Sequence, residues 1–593
     1  MSESPSSFVE RSRLERRAEL TRLARDHQTD IGIILGLSWL FNGTQTHVDY
    51  IGGLDTSKIP TRLAKLVRSV PWDVRRSNAE LATKEKSVLP SLKDALVEAA
   101  PVDIYQEESA EERRKGRRSN YRDFAGILAQ IDTTVIASFA LDILQARHEK
   151  VHNYSLPPLP FPSVSGPSFG SAHVFYSIEF YDGTKWIIKI PANGTPDIWD
   201  KLGAETMRIE ALTLNLLKTE TSVPVPEIID ADSSPHNELH VPYLIMELVE
   251  GQTLDRVWFG EHGEDEKKIK ERRTKVLNGL ARAMLQLGRY EFERGGAPMF
   301  DGEGYLVDVG PLRELDVQAM VDRWLDNEDC EKGPLYTSIG PFRDAAEMHT
   351  GLLDLYPCDV EPCVGVDRLL RLLIDLIREP SGLGRRGGKD KKKKGFVLTH
   401  PNLSMRDIIV SEDGTLKGIV GWDGVRAAPK SVGNEALPRW LVRDFNPFVW
   451  HWRPPAEFWR RKNGAGEEAP EGFNRFEDAP WVLRELRDEY ANIMRDLKRE
   501  KGLHTDAEEE VDVTKQSLVA LSLDAAARDP RCKSAVLRRI LDKCSRASEE
   551  FDFGSIVESL EDGGQLDGYK RKCLEKNLTE LIDRGYVRGA VVW

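Results

Sequence analysis

Apolar and polar residues follow two rhythms along the chain, and each predicts a different element. In YRDFAGILAQIDTTVIASFALDILQARHEK, Tyr121 to Lys150, apolar positions recur at near-helical spacing. Residues 1–154 therefore read as a helical N-terminal extension with no chemistry evident in it. SLPPLPFPSVSG, Ser155 to Gly166, holds too many prolines to continue a helix or sit in a central strand, and reads as a linker. After it the period shortens to two. SAHVFYSIEF and KWIIKIP read as strands joined through Asp182-Gly183, a hairpin turn signal. A helix is expected from about Asp200 to Thr219, with Met207, Leu212, Leu214 and Leu217 among its apolar positions, and VPVPEI ends it. Tyr243 to Leu248 is a further buried strand, so residues 155–250 form a small, strand-rich lobe with one helix.

From about Gly251 the helical rhythm returns and runs through a larger lobe, residues 251–500. Val276, Leu280, Met284 and Leu287 fall on one helical face, and Leu486, Tyr490, Ile493 and Leu497 on another. GLGRRGGKDKKKKG, spanning 382–395, is low in complexity and basic. It reads as a mobile surface loop, with a basic interaction tail as the sharper alternative. LTHPNLSMRDIIV, Leu398 to Val410, reads as a buried strand, a polar turn and a second apolar run, followed by a hairpin with Asp413-Gly414 at its turn. Residues 501–593 read as a helical C-terminal extension. No internal repeat of roughly 20–50 residues is present. The expected fold class is α+β.

Bulk properties narrow the partners. The chain has 593 residues, which argues for about two to four domains or subdomains. Its 40% hydrophobic and 30% charged residues are those of an ordinary globular protein. A net charge of -14 argues against general nucleic-acid binding, which needs a basic surface, and mildly suits cationic partners. Plain solubility is the ordinary reading of that charge. The six cysteines form no CxxC pair and point to reduced thiols rather than disulfides or a zinc site. MSESPSSFVERSRLERRAEL lacks the apolar core of a signal peptide. IGIILGLSWLF falls short of the about 20 apolar residues a bilayer span needs. A cytoplasmic location without membrane contact is expected. The basic run between Glu112 and Arg118 reads as a solvated loop rather than a nuclear signal.

Some residues are placed for phosphoryl transfer. That chemistry uses a glycine turn over phosphates, a strand lysine held by a helix glutamate, a loop Asp and Asn, and a final Asp that binds metal. Gly166 and Gly170 flank PSF just before a strand, a weak match that a plain turn would also give. Lys189 stands in the apolar strand WIIKIP, where an unpaired ammonium is costly to bury. Glu210 on the following helix is its candidate partner, unless strand alternation turns Lys189 outward. PYLIMELVEG ends an apolar strand at Met246 to Leu248, where backbone groups would face an adenine.

In order and spacing these pieces resemble the aminoglycoside phosphotransferase family, a branch of the protein-kinase-like fold, and especially its large fungal members. The resemblance rests on WIIKIP, IEALTLNLLKTETSVPVPEI, YLIMELVEGQTL, LTHPNLSMRDIIVSEDGTLKGIVGWDGV and EALPRWLVRDFNP. It covers about Val164 to Asn446, and it is specific for the fold rather than for a substrate. It implies two lobes, a small β-rich one and a large helical one, with ATP and Mg2+ between them. It also implies an Asp at 402, an Asn at 407 and an Asp at 421.

The chain departs at all three, with Asn402, Asp407 and Gly421. Asn402 carries no charge to accept a proton, and general-base help is typically worth about 10²- to 10⁴-fold. Gly421 removes a metal-binding carboxylate. Asp407 and Asp423, the latter the acidic member of GWD, are the remaining candidates to hold a metal. His400 is expected to fix the loop's turn rather than act as a base, and Trp422 and Trp440 to pack. Two readings stay open. One is a catalytically impaired pseudoenzyme that binds a partner, a small molecule or a protein. The other is an active ATP-dependent phosphotransferase for a small hydroxylated molecule, with metal on Asp407 and Asp423.

Overall fold

The computed structural model describes residues 124–153, 159–170, 172–260, 263–315, 336–355, 363–377, 395–447, 449–452, 477–503, 512–546, 551–561 and 564–587. The basic run before residue 119 and all but the last residue of the basic segment 382–395 lie outside them.

Two helices open the described chain, the short α1 (Ala125–Leu128) and the long α2 (Thr133–His152). Asp132 caps α2 by accepting from Thr134 N at 2.8 Å. The small lobe follows as β1 (Ser163–Phe169), β2 (His173–Glu179), β3 (Lys185–Pro191), α3 (Lys201–Glu220), β4 (Ile228–Asp232) and β5 (Tyr243–Glu247). The five strands form one antiparallel sheet in the order β1-β2-β3-β5-β4. The β2–β3 hairpin turns where expected. Asp182 Oδ1 accepts from Thr184 N at 2.9 Å, and Gly183 takes φ +85°.

Two boundaries differ from the sequence expectation. The linker expected up to Gly166 is strand from Ser163 onward. β1 tolerates its proline because it is the edge strand, and its register slips between Ser165 and Ser168. The expected break near residue 154 is not where packing divides the chain. Ile136 and Ala140 of α2 enter the same core as Val174, Ile178, Ile188 and Ile245 of the sheet. Helical spacing revealed the helix but not the sheet face that its apolar stripe covers.

The large lobe is built on α4 (Glu266–Gln286), which packs against α5 (Pro480–Glu500). Val276, Leu280 and Leu287 are fully buried, as is Tyr490, while Ile493 is only half-buried. Each buried Leu or Val contributes about 1.5–3 kcal/mol of transfer free energy. Short strands carry the loops of interest. β6 (Phe396–Thr399) pairs with β9 (Arg426–Pro429), and β7 (Ile408–Val410) with β8 (Leu416–Ile419). Helices within 513–544 share the core of α4 and α5, so the C-terminal segment completes the large lobe. The architecture is α+β, a small antiparallel lobe and a large helical one. Among the described residues no helix is long and apolar enough to cross a membrane.

Candidate functional site

Strand alternation does not turn Lys189 outward. The inner half of β3 is buried on both faces, because α3 covers the side that solvent would otherwise reach. Lys189 is 5% exposed and Glu210 of α3 is 3% exposed. Lys189 Nζ donates to both carboxylate oxygens of Glu210, at 2.7 and 2.8 Å. Burial disfavours the ammonium, but the carboxylates of Glu210 and Asp423 hold Lys189 above its usual range. Burial likewise pushes the Glu210 carboxyl upward, against the pull of Lys189. A five-stranded lobe carrying this buried strand–helix pair, set on a helical lobe, decides the architecture. The fold is protein-kinase-like.

The glycine turn is narrower than expected. Gly166 lies inside β1 at the slip in register, with φ +139°, and a Cβ there would meet Phe175 O at 3.0 Å. Only Gly170 stands at the β1–β2 turn, where its N–H donates to His173 O at 2.9 Å. Two N–H groups at the expected adenine-facing end of β5 are already bonded. Glu247 N donates to Glu227 O at 2.9 Å and Leu248 N to Lys185 O at 3.0 Å. Met246 sits between Ile187 and Ile228 in the ladder. The N–H groups of Glu247 and Leu248 are spent inside the sheet, so neither offers a donor to a base.

The loop after β6 keeps its backbone shape. His400 is buried, and its Nε2–H donates to Val420 O at 2.8 Å, which ties the loop to the end of β8. Burial lowers the imidazole pKa to about 4, so the ring is neutral at pH 7. Trp422 packs edge-on against His400, with ring centroids 4.9 Å apart, and its Nε1 donates to Ile419 O at 2.9 Å. Asn402 is exposed. Asp407 closes a capping box on the turn Met405–Asp407. Its Oδ2 accepts from Ser404 N at 2.8 Å and Ser404 Oγ at 2.6 Å. Burial pushes the Asp407 carboxyl up despite these bonds. Val420 N donates to Asp407 O at 2.8 Å, joining the two loops directly.

Gly421 has φ +81°, and a Cβ on it would lie 2.6 Å from Asp407 Oδ1. The carboxylate that the resemblance implies at 421 would thus meet the carboxylate at 407. Asp423 reaches the other way, toward the small lobe. Its Oδ2 is 3.7 Å from His173 Nε2. Burial raises the Asp423 carboxyl, but Lys189 foremost holds it below the ordinary range. His173 is driven down to about 3, by burial first and then by Lys189, so it meets Asp423 as a neutral ring. The structure therefore brings Lys189, Glu210 and Asp423 together and keeps Asp407 with Ser404. Sequence reasoning missed His173 and Arg313. Arg313 lies 3.6 Å from the Tyr336 ring centroid, and its charge acts on both His173 and Asp423. The only sequence signal for His173 was its place at the first position after the glycine turn. Arg313 had none.

No family model matches the chain. Among curated proteins it is 24% identical over 172 residues to Altered inheritance of mitochondria protein 9, mitochondrial, of Candida albicans, covering 29% of this chain and 27% of the relative. The chain thus spans about a quarter of the length of that relative in the match. Among solved structures it resembles a macrolide 2'-phosphotransferase from Brachybacterium faecium, at 11% identity and TM-score 0.28, covering 74% of this chain and 98% of that one. An aminoglycoside phosphotransferase from Alicyclobacillus acidocaldarius gives 11% identity and TM-score 0.27, covering 73% and 98%. The fold assignment rests on this chain's own sheet order, lobe packing and Lys189–Glu210 pair.

Proposed function

We propose that this chain is an aminoglycoside-phosphotransferase-like protein with impaired phosphoryl transfer, acting as a pseudoenzyme that binds a partner and retains a nucleotide cleft in outline. The observation that carries this reading is Gly421, with φ +81° and a would-be Cβ 2.6 Å from Asp407 Oδ1. Magnesium needs near-octahedral oxygen ligands, commonly one or two carboxylates beside the substrate phosphates. Asp407 spends Oδ2 on Ser404, and Asp423 faces His173. With Gly421 in place of a carboxylate, Asp407 tied to Ser404 and Asp423 turned to His173, the residues do not fit a magnesium ion held as the resemblance implies. Lys189, oriented by Glu210, does fit a nucleotide phosphate.

Calorimetry of the purified chain with ATP, with and without Mg2+ or Mn2+, tests the reading. Metal-independent binding, or none at millimolar ATP, is the expected result. Tight binding that requires metal would overturn it in favour of an active phosphotransferase using Asp407 and Asp423. A cytoplasmic location is part of the same proposal. The relative's printed name places that protein in mitochondria, and fractionation of the tagged full chain decides between the two compartments.

A further inference from the structure

Where the two lobes meet, one carboxylate collects cations instead of further carboxylates. Asp423, in the large lobe, has its Oδ2 3.7 Å from Nε2 of His173, the first residue of β2 in the small lobe. Burial pushes the Asp423 carboxyl up, and Lys189 foremost, with Arg313 behind it, holds it below the ordinary range. The same two cations act on His173, after the effect of burial.

A hairpin brings Arg313 to this place. Leu312–Leu315 pairs antiparallel with Tyr336–Ile339, with Arg313 opposite Ser338 and Leu315 opposite Tyr336. Strand alternation puts Leu312 and Glu314 on one face and Arg313 with Leu315 on the other. The first face is anchored in the large lobe. Leu312 joins its core, and Glu314 meets Arg528 at 3.1 Å. On the second face the Arg313 guanidinium carbon lies 3.6 Å from the Tyr336 ring centroid. That stack runs diagonally between the strands and restrains a long side chain that would otherwise rotate freely. Arg313 is half-buried and forms no salt bridge among the described residues. Of its nitrogens only Nε is shut away from solvent without a partner, which leaves the two terminal NH2 groups as accessible donors.

A divalent cation placed at Asp423 would have Lys189 and Arg313 as neighbours, and both repel it. Lys189 is already committed to both oxygens of Glu210. Arg313 is the cation without a carboxylate of its own, and a guanidinium fork suits phosphate oxygens. We infer that Arg313 takes over the role of the metal: it offsets the charge of Asp423 and, beside Lys189, binds the phosphate chain of a nucleotide that carries no divalent cation. The inference takes its ligand from the nucleotide cleft proposed above, whereas the charge relation between Arg313 and Asp423 stands apart from that proposal.

The test is calorimetry of the full chain with sodium ATP, in EDTA and in Mg2+. The parent chain should bind equally well in both. Arg313→Gln should weaken binding in EDTA by about tenfold or more, the worth of a hydrogen bond between charged groups. Mg2+ should then recover part of that loss, because Asp423 is relieved of one cation. A merely structural role for Arg313 would not create a metal dependence that the parent lacks. Asp423→Asn should leave binding in EDTA unchanged or tighter, since no metal is held there. Unchanged affinity of Arg313→Gln in EDTA, or a loss that Mg2+ does not touch, would overturn the inference. No ATP binding by the parent would overturn it while leaving the impaired-enzyme reading standing, and binding that requires metal would overturn both. If Arg313→Gln does not fold, Asp423→Asn decides alone, and loss of its binding in EDTA sinks the idea.

Discussion

The Lys189–Glu210 pair and the loops at 402, 407 and 421 obey different constraints. The pair is almost wholly buried, at 5% and 3% exposure. Losing either charge strands the other in the interior. Asn402 and Gly421 are exposed, and a neutral side chain or none at these positions strands nothing. The fold itself therefore demands the pair, whereas only chemistry would demand carboxylates at 402 and 421. A preserved lysine–glutamate pair is then weak evidence for catalysis, because stability alone would keep it. The three departures bear on chemistry directly, because the packing around them is intact.

The hardest way to break this contrast is Lys189→Met. Removing one member of a buried ion pair costs about 3–5 kcal/mol. Urea unfolding should show a loss of that size. The double change Lys189→Met with Glu210→Leu should recover most of it, since a well-packed apolar pair replaces a well-paired ionic one. A single variant as stable as the parent would mean that burial does not protect the pair.

The next test asks whether burial or lobe membership sets the constraint. His400 belongs to the altered loop but is buried, with its pKa lowered to about 4. Its unfolded value is near 6.5. Between those values the unfolded chain binds a proton that the folded chain refuses, so stability falls as pH drops through that window. A shift of that size corresponds to roughly 3 kcal/mol at about 1.36 kcal/mol per pH unit. His400→Gln should flatten the profile between pH 6.5 and 4 while the rest of the acid transition remains. An unchanged profile would mean that the ring is not held neutral.

Restoring the carboxylates gives smaller effects of two kinds. Gly421→Asp places a side chain at φ +81° beside Asp407 Oδ1 and should cost about 1–3 kcal/mol. Gly421→Ala should cost part of that, from backbone alone. Asn402→Asp, exposed, should stay within about 0.5 kcal/mol of the parent. If Gly421→Asp proves neutral in urea unfolding, the loop has room for the missing carboxylate, and the impaired-site reading weakens.

Sequence exposed some of this site and hid the rest for definable reasons. A lysine inside WIIKIP declared itself because burial of a charge needs a partner, and Glu210 lay one helix away. The turn at Asp182-Gly183 and the loop at His400 were legible because local backbone chemistry fixes them. At Met246 to Leu248 an apolar strand does not reveal which of its N–H groups a neighbour will take; Lys185 and Glu227 take those of Leu248 and Glu247. His173 against Asp423 joins residues 250 positions apart, which no spacing rule reaches. The packing of α2 under the sheet was hidden likewise. The helix was periodic, but the face it covers is a tertiary fact.

Another small expected effect lies at Asp407, between the two regimes. It is half-buried, bonded to Ser404, and its carboxyl is nevertheless pushed above the ordinary range by burial. A carboxyl raised on folding holds its proton longer than in the unfolded chain. Its stabilisation is therefore full below about pH 3.8 and is lost as pH rises through the folded value. At pH 7 the charge is a mild liability to the fold. Asp407→Asn keeps an oxygen to accept from Ser404 and removes the charge. It should leave stability at pH 7 unchanged or raise it by less than about 1 kcal/mol, with no gain at acid pH. Urea midpoints at pH 7 and pH 3 read the difference. A clear loss at pH 7 would show that the carboxylate is held by a cation the structure does not otherwise require. That outcome would place Asp407 in the regime of the pair, and it would make a metal the next thing to look for.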